Sequence, residues 1–539
     1  MAAYLGRRTK TLIQVGMLCL VGYCLVWPAV ACAQQTSWEK AQRAGVQAYK
    51  QGRLADAEQQ LVTALAEAEQ LGLPEQRLTI PLMTLALVYS GQNQPALAEP
   101  LYQRVLAIRE STLGAYHLEV AAALDSLAEV YEAQGQYARA LPFYERALSI
   151  REQTLKPNHP GIASSLENVA SLYEAEGQYA QAEPLYQRAL SIREKTLKPQ
   201  HPSVATSLHN LAELYRAQQR FAEAEAVHKQ ALALRERAFG TQHPSVAISL
   251  NRLALVYAGQ GQYAQAEAMH QQAVAVHERA LGADHAEVAT LLNSLAEFYR
   301  SYGQYSLAES VQQRALSIRE RAFGLDHPET AGSHHNLAAI YAAQGQPEKA
   351  APLYQRALTA REKTLGPDHP DVAMSVHSLA EVYRGQARYD QAEPLYRRAV
   401  ATWELHLGGH RADLASSLNN LAELYRRQQQ YHQATALALR GLSLREQVYG
   451  PDHADVAASL MTLALLYMTE EHYEQAEPLY LRAVSTVEKL WGPDHVGLAT
   501  VLEQYALLLR QTKRDGEGAA MQARVQAIRA RLGVASAAH

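Results

Sequence analysis

Residues 204–217 read Val-Ala-Thr-Ser-Leu-His-Asn-Leu-Ala-Glu-Leu-Tyr-Arg-Ala, and this stretch decides the fold class. Its apolar residues Leu208, Leu211 and Tyr215, together with the small residue Ala212, are spaced three, one and three residues apart. They therefore lie on one face of a helix with about 3.6 residues per turn. The pattern predicts an amphipathic helix, which we name helix A of its repeat.

A second helix follows a short break at residues 218–220. Phe221, Ala224 and Leu232 continue a helical pattern to about residue 239. Gly240 ends this helix B, because glycine readily adopts the left-handed conformation that follows many helices. The next helix starts at a His-Pro pair, and proline is tolerated in a first turn whose amides have no helical acceptor. The sequence therefore predicts a helical hairpin.

The hairpin recurs with a fixed period. Histidines spaced 42 residues apart mark the start of each helix A, with Arg411 at the one interruption. The members of this series are His117, His159, His201, His243, His285, His327, His369, His453 and His495. A thin hairpin cannot bury its apolar faces alone, so we expect twelve tandem copies that stack on one another.

The repeated residues resemble a known family. Leu-Ala-Glu-Leu-Tyr at 211–215, Gln-Gly-Gln-Tyr at 260–263 and Ala-Glu-Pro-Leu-Tyr-Gln-Arg-Ala-Leu at 182–190 are similar to tetratricopeptide repeats. The continuation, as in Gly-Pro-Asp-His-Pro-Asp-Val-Ala at 366–373, resembles the 42-residue type found in kinesin light chains. The resemblance implies an all-α fold, a right-handed α-solenoid superhelix of stacked helix-turn-helix repeats.

This interpretation divides the chain into four parts. They are a secretory signal peptide at 1–33, a first repeat of the 34-residue type with a linker at 34–78, ten tandem 42-residue repeats at 79–498, and a degenerate capping repeat with a tail at 499–539. Atypical terminal repeats are expected, because an end repeat turns one face to water.

The N-terminal segment has the organisation of an export signal. Three basic residues precede an apolar stretch at 12–30, which ends in Ala-Cys-Ala at 31–33. We expect export to the periplasm or secretion, with cleavage after Ala33 and no membrane insertion afterwards. Two alternatives stay open, which are an uncleaved membrane anchor and a lipid anchor at Cys32.

Composition and motifs exclude several function classes. Removal of residues 1–33 changes the net charge from −4 to −7, so we expect no nucleic-acid partner. The cysteines Cys19, Cys24 and Cys32 all precede residue 33, which leaves the repeats without thiol chemistry. The sequence has no phosphate-binding loop, dinucleotide fingerprint, nucleophile elbow or zinc-protease motif. We therefore expect neither an enzyme nor a cofactor.

The face of helix A opposite Leu211 is the candidate binding surface, because residues there lie roughly 140–240° away around the helix. In the resembled family this face lines a concave groove that binds extended peptides, which implies a protein or peptide partner. Some repeats carry Glu and Arg three residues apart on it, and others carry small or apolar residues. The charged pairs are Glu213–Arg216, Glu297–Arg300, Glu381–Arg384 and Glu423–Arg426. The alternative is that these pairs are solvated surface charges.

An adjacent column on helix A contains four asparagines, Asn168, Asn210, Asn336 and Asn420. They match the groove asparagines that hold the peptide backbone in related repeats. Arg252, Ser294 and Ser378 occupy the same column in other repeats, which interrupts a continuous clamp.

The chain has 21 histidines, which raises the question of a metal site. His209, His335 and His377 lie on the free face of helix A, one per repeat. Neighbouring helices are about 8–10 Å apart, whereas metal ligands lie near 2 Å from the ion. We therefore expect no metal site. His334 falls in a core column, where we expect a buried, hydrogen-bonded imidazole.

The sequence thus favours an exported protein–protein interaction scaffold. The alternatives are an envelope-anchored lipoprotein or assembly factor and, from a different class, an enzyme that uses the polar face of helix A. The sequence determines neither the identity of the partner nor the oligomeric state.

Overall fold

The computed structural model describes residues 37–92, 94–197 and 201–531, without the side chains of 407–409. Every regular element in these residues is an α-helix, as the sequence predicts, and consecutive helices pair as hairpins of one helix A and one helix B. The expected signal peptide lies outside the described residues. Among the helices that are described, none is long and apolar enough to cross a bilayer.

The chain divides into two compact units. Within the described ranges, the first unit covers residues up to 134 and 138–157, and the second covers 135–137 and everything from 158 onwards. The first unit holds α1 (Ser37–Lys50), α2 (Leu54–Gln70), α3 (Glu75–Gly91), α4 (Pro95–Leu113), α5 (Leu118–Ala133) and α6 (Tyr137–Thr154).

The second unit holds the remaining nine hairpins. Its helices are α7 (Pro160–Ala175), α8 (Tyr179–Thr196), α9 (Pro202–Ala217), α10 (Phe221–Phe239), α11 (Pro244–Gly259), α12 (Tyr263–Leu281), α13 (Ala286–Ser301), α14 (Tyr305–Phe323), α15 (Pro328–Ala343), α16 (Pro347–Leu365), α17 (Pro370–Gly385), α18 (Tyr389–Leu405), α19 (Leu407–Arg427), α20 (Tyr431–Tyr449), α21 (Ala454–Thr469), α22 (Tyr473–Trp491), α23 (Val496–Gln511) and α24 (Asp515–Arg531). Odd-numbered helices are A helices.

The predicted core face of helix A is confirmed. In α9, Leu208, Leu211, Ala212 and Tyr215 are all buried. Successive A helices of the second unit pack against one another more extensively than successive B helices do. The A helices therefore form the inner layer of this unit, which the periodicity of the sequence could not decide.

In five hairpins of the second unit, a tyrosine hydroxyl joins the hairpin to the one before it. The hydroxyl near the end of helix A donates a hydrogen bond to a glutamate of the preceding helix B, over 2.7 to 3.4 Å. The pairs are Tyr215–Glu183, Tyr257–Glu225, Tyr299–Glu267, Tyr341–Glu309 and Tyr425–Glu393. The tyrosine column of helix A and the Ala-Glu motif of helix B thus serve the same contact.

The histidines at the helix starts are N-caps. Nδ1 of each ring accepts a hydrogen bond from the backbone N–H two residues later, at 3.0 to 3.2 Å. This bond satisfies one of the amides that a helix start leaves without a partner. All nine histidines of the 42-residue series act in this way.

A buried arginine of helix B holds the same backbone position from the other side. Arg361 Nη1 donates to the carbonyl oxygen of Asp371 at 3.0 Å, and the N–H of Asp371 donates to His369. Four further joints have both bonds, and their arginine, held residue and histidine are Arg109–Glu119–His117, Arg193–Ser203–His201, Arg319–Glu329–His327 and Arg445–Asp455–His453. One residue of the first turn is therefore fixed at both its amide and its carbonyl. We call this arrangement the repeat joint.

The one interruption of the histidine series changes the joint. Arg411 stands where the cap histidine would be, and a buried tryptophan, Trp403, replaces the arginine of helix B. The helix start at this joint is irregular, since His410 has non-helical backbone angles of φ −126° and ψ 22°. Loss of both joint residues thus coincides with loss of the regular helix start.

The cap at His327 predicts a pH-dependent local stability. Burial lowers the pKa of His327, with Arg319 acting in the same direction and Glu329 against it. A protonated ring cannot accept at Nδ1, so the stabilisation is complete above the unfolded pKa of about 6.5 and declines as the pH falls through that value and through the lower folded pKa. We expect His327→Ala to cost about 1 kcal/mol at about pH 8, which is about fivefold faster hydrogen exchange in the first turns of α15.

His327→Asn is the matched variant, because an asparagine side chain accepts the same bond without titrating. It should preserve the protection of α15 at high pH and lose less of it on acidification than the parent chain. Equal exchange rates in the parent chain and His327→Ala at about pH 8 would contradict the cap.

Candidate functional site

The four predicted Glu–Arg pairs of the inner layer all form. Arg216 Nη2 lies 3.0 Å from Glu213, Arg300 Nη2 2.5 Å from Glu297, Arg384 Nη2 2.7 Å from Glu381, and Arg426 Nε 2.7 Å from Glu423. Each pair spans one turn of an A helix of the second unit. The glutamate and arginine of each pair therefore partly neutralise one another.

The pairs differ in how firmly they are held. Arg384 Nε also lies 3.2 Å from the hydroxyl of Tyr396, a fully buried residue of α18, and that hydroxyl contacts Glu381. In contrast, the side chain of Glu297 is 56% exposed, and Arg300 is its one ion-pair partner among the described residues. The first pair is therefore fixed by helix B of its own hairpin, and the second is a solvated surface pair.

The four predicted asparagines have a different character. Asn168, Asn210, Asn336 and Asn420 are half-buried on the inner layer. Within the described residues their side-chain amides have no hydrogen-bond partner. Each amide can offer two donors and one acceptor to another molecule.

The other residues of this column are occupied. Arg252 Nη1 lies 3.5 Å from Glu213 of the preceding A helix. The hydroxyl of Ser294 accepts a hydrogen bond from Asn251 at 3.4 Å. The departures from asparagine thus bind within the chain, and the free amides are confined to two neighbouring repeats and two separate ones.

The expectation that each free-face histidine stands alone in its repeat is wrong for His209. Its ring lies 5.6 Å, centroid to centroid, from that of His228 on helix B of the same hairpin. His228 Nε2 is 3.2 Å from Glu213 Oε1. The sequence argument compared only the A helices of different repeats, and it overlooked the approach of helix B.

The electrostatics of Glu213 reflect this neighbourhood. Burial alone would raise the pKa of Glu213, but His228, Arg252, His209 and Arg216 outweigh it, and the net pKa is lowered. The carboxylate is therefore ionised in a half-buried position. Burial also lowers the pKa of His209 well below its ordinary value, with Glu213 acting against it.

Two of the remaining histidines have hydrogen-bond partners, and the third packs against a ring. His334 is buried in the core column, and its Nδ1 lies 3.1 Å from the Thr330 carbonyl oxygen, as the sequence predicts. His377 Nδ1 is 2.8 Å from the hydroxyl of Ser417. His335 packs edge-on against Tyr354, and burial lowers its pKa to about 3.

The fold and its inner face define an all-α array of stacked helical hairpins. The family model that matches is described as a tetratricopeptide repeat, and it matches residues 77–153, 119–195, 161–237, 203–279, 245–321, 287–363, 329–404 and 413–489. The chain belongs to the tetratricopeptide repeat family. Repeats of this family support a protein–protein interaction scaffold and are generally non-enzymatic.

Three solved structures are similar to parts of this chain. The "kinesin light chain nearly identical TPR-like repeats" of Podosopora anserina are 32% identical, over 38% of this chain and 97% of that one, with a TM-score of 0.36. BtubC (BKLC) from P. vanneervenii is 25% identical, over 45% of this chain and 92% of that one, with a TM-score of 0.34. A Rap protein complexed with Competence and Sporulation Factor is 17% identical, over 69% of this chain and 99% of that one, with a TM-score of 0.43.

These TM-scores are all below 0.5, so the family assignment rests on the sequence matches. The comparison with curated proteins gives no match.

The two kinds of Glu–Arg pair predict different costs of removal. Arg384→Ala leaves Glu381 beside the buried Tyr396, so we expect a loss of about 1 kcal/mol in the local stability of α17. Arg300→Ala removes a solvated pair and should cost less than about 0.5 kcal/mol in α13. Native-state hydrogen exchange of the two helices measures both. Equal costs for the two variants would contradict the distinction.

Proposed function

We propose that the chain is an exported interaction scaffold that binds an extended segment of a partner protein along the inner layer of its second unit. The observation that carries the proposal is the set of unpartnered amides at Asn168, Asn210, Asn336 and Asn420. An extended peptide has backbone amides and carbonyls without partners, and an asparagine side chain can pair with both.

The Glu–Arg pairs have a second role in this proposal. Because the glutamate and arginine of each pair neutralise one another, the surface carries little net charge there, and it presents both a cation and an anion to a bound segment. Charged pairs at a binding surface favour selectivity and the rate of association more than affinity. Leu255 and Leu465 stand where other repeats have the glutamate of the pair; both are partly buried and offer apolar contacts on the same face.

Two alternative functions from the sequence analysis lead to different observations. An envelope-anchored lipoprotein or assembly factor would use the same face while tethered at Cys32. An enzyme would need an acid–base or nucleophilic group aimed at a substrate, and the Glu–Arg pairs of the inner layer are instead engaged with each other. The amide column thus favours binding over turnover.

A peptide selection tests the binding face. Randomised peptides displayed on phage are selected against the chain from residue 34, and the affinity of one selected peptide is measured by fluorescence anisotropy. The groove variant combines Asn336→Ala, Asn420→Ala, Arg384→Ala and Arg426→Ala. We expect it to raise the Kd about tenfold or more, since each lost amide or charged contact is worth about 1 kcal/mol.

A control variant removes the same chemistry from the B helices, with Gln355→Ala, Gln391→Ala, Lys363→Ala and Arg398→Ala in α16 and α18. It also loses two amides and two cations, and we expect its Kd to match that of the parent chain. If the groove variant binds as tightly as the parent, or if the control variant is weakened equally, the partner does not use the inner layer.

The export proposal makes a separate prediction about the N-terminus. After expression of the full sequence in a bacterium, N-terminal sequencing and intact-mass measurement of the envelope fraction should give a chain that begins at Gln34. A lipid-modified chain that begins at Cys32 would favour the anchored alternative. A chain that retains residues 1–33 in the cytoplasmic fraction would contradict export.

A further inference from the structure

Three potential metal ligands meet within the fifth hairpin. His209 and Glu213 lie one turn apart on α9, and His228 reaches them from α10. One ligand atom from each residue can be chosen so that all three atoms lie within 4.8 Å of one another. Among the residues that the structure describes, this is the one group of three or more such side chains that are close enough to share an ion.

The side chains around this point lack ordinary partners. His228 is 1% exposed, and neither of its ring nitrogens has a hydrogen-bond partner within the described residues. The same is true of His209 Nδ1 and Glu213 Oε1. Buried polar atoms without partners are costly and rare, so each requires an explanation.

The closest approach in the cluster has the distance of a ligand pair. His228 Nε2 and Glu213 Oε1 are 3.2 Å apart, yet neither atom has a partner in hydrogen-bond geometry. Around a tetrahedral zinc with bonds of about 2.0–2.1 Å, neighbouring ligand atoms are about 3.3 Å apart. Closing the 4.8 Å spread to that value requires a movement of about 1.5 Å, which side-chain rotation can supply.

We infer that His209, Glu213 and His228 form a binding site for a divalent transition metal ion, with Zn²⁺ as the ion that best suits the ligands. Two imidazoles and one carboxylate are a known zinc ligand set with a fourth position for water. Copper, nickel and cobalt bind the same donor types.

Comparison with other hairpins shows that the combination of His209, Glu213 and His228 is specific to the fifth hairpin. In other hairpins, a tyrosine takes the place of His228 and reaches helix A through its hydroxyl, as Tyr186 does to Glu174 at 2.8 Å. The next hairpin also has a histidine on helix B, His270, but its Nδ1 pairs with Asn251 at 2.9 Å. That hairpin has Leu255 at the position of Glu213, so it lacks the third ligand.

Two cations compete with an ion for Glu213. Arg216 binds the second carboxylate oxygen, Oε2, at 3.0 Å, and Arg252 lies 3.5 Å from the same oxygen. Oε1, the oxygen beside His228, is the one without a hydrogen bond. The two arginines therefore orient the carboxylate and leave its other oxygen directed to the histidines. An ion bound to Oε1 would connect α9 to α10, while Arg216 would keep its contact with Oε2 on the inner layer.

Metal titration of the chain from residue 34 tests the site. The protein is prepared without a histidine tag, stripped with a chelator and titrated with Zn²⁺ by calorimetry. Co²⁺ is then added for its visible absorption, which reports the coordination geometry. We expect one site per chain, and His209→Asn and His228→Tyr should each weaken it at least about tenfold, because each removes one of three ligands.

Both substitutions introduce the residue found at the same column in other hairpins, which favours folding; circular dichroism checks it. The matched control is His270→Tyr, which removes a buried helix-B histidine that is outside the cluster and should leave the Zn²⁺ affinity unchanged. If the parent chain binds no Zn²⁺ with one-to-one stoichiometry, the proposal is overturned. The same conclusion follows if both cluster variants bind as tightly as the parent.

Discussion

The repeat joint is the contact on which the array depends. At Asp371, the histidine two residues earlier accepts from the backbone amide, and Arg361 of the preceding helix B donates to the carbonyl. One residue thus connects helix B of one hairpin, the loop and helix A of the next. Because the arginine is buried, its bonds to a carbonyl and to the hydroxyl of Ser375 at 2.7 Å replace the water that it loses. Burial lowers the pKa of Arg361, but a guanidinium keeps its proton at any ordinary pH.

The joint complements the apolar packing, which alone would leave the angle between hairpins loosely defined. Alanines such as Ala212 and Ala224 are fully buried and permit close approach of the helices. Apolar contacts have no direction, whereas hydrogen bonds fix distances and angles. The tyrosine–glutamate bonds at the far end of helix A, such as Tyr299 to Glu267 at 2.7 Å, add a second fixed point. Each A helix of this kind is therefore held near both of its ends.

Much of this arrangement could be predicted from the sequence, because it is periodic. The spacing of Leu208, Leu211 and Tyr215 indicates the core face, and the series of histidines indicates the period. The Glu–Arg pairs follow from the geometry of a single helix. The cap role of the histidines was not predicted, because histidine is not among the residues usually preferred at an N-cap. The burial of Arg361 was not predicted, because its partners lie in the next hairpin. The proximity of His209 to His228 was missed because it arises only when helix B folds back on helix A; the two residues are nineteen positions apart in the chain.

Function is expected at positions where a repeat departs from the residue that stacking requires in the other repeats. In a repeat array the common columns are explained by contacts between copies, so a departure from a column needs a separate cause. Trp403 and Arg411 replace the arginine and histidine of the same joint, and the helix start there is irregular. His270 departs from tyrosine and recovers a partner in Asn251. His228 departs in the same way and is equally buried, but its close neighbour Glu213 Oε1, 3.2 Å away, does not meet it in hydrogen-bond geometry. In the hairpin of Tyr186, the tyrosine fills the same position and its hydroxyl donates to Glu174 of helix A, so filling the space does not require an imidazole. A buried imidazole that makes no hydrogen bond, beside His209 and Glu213, is what the proposed metal ion would explain.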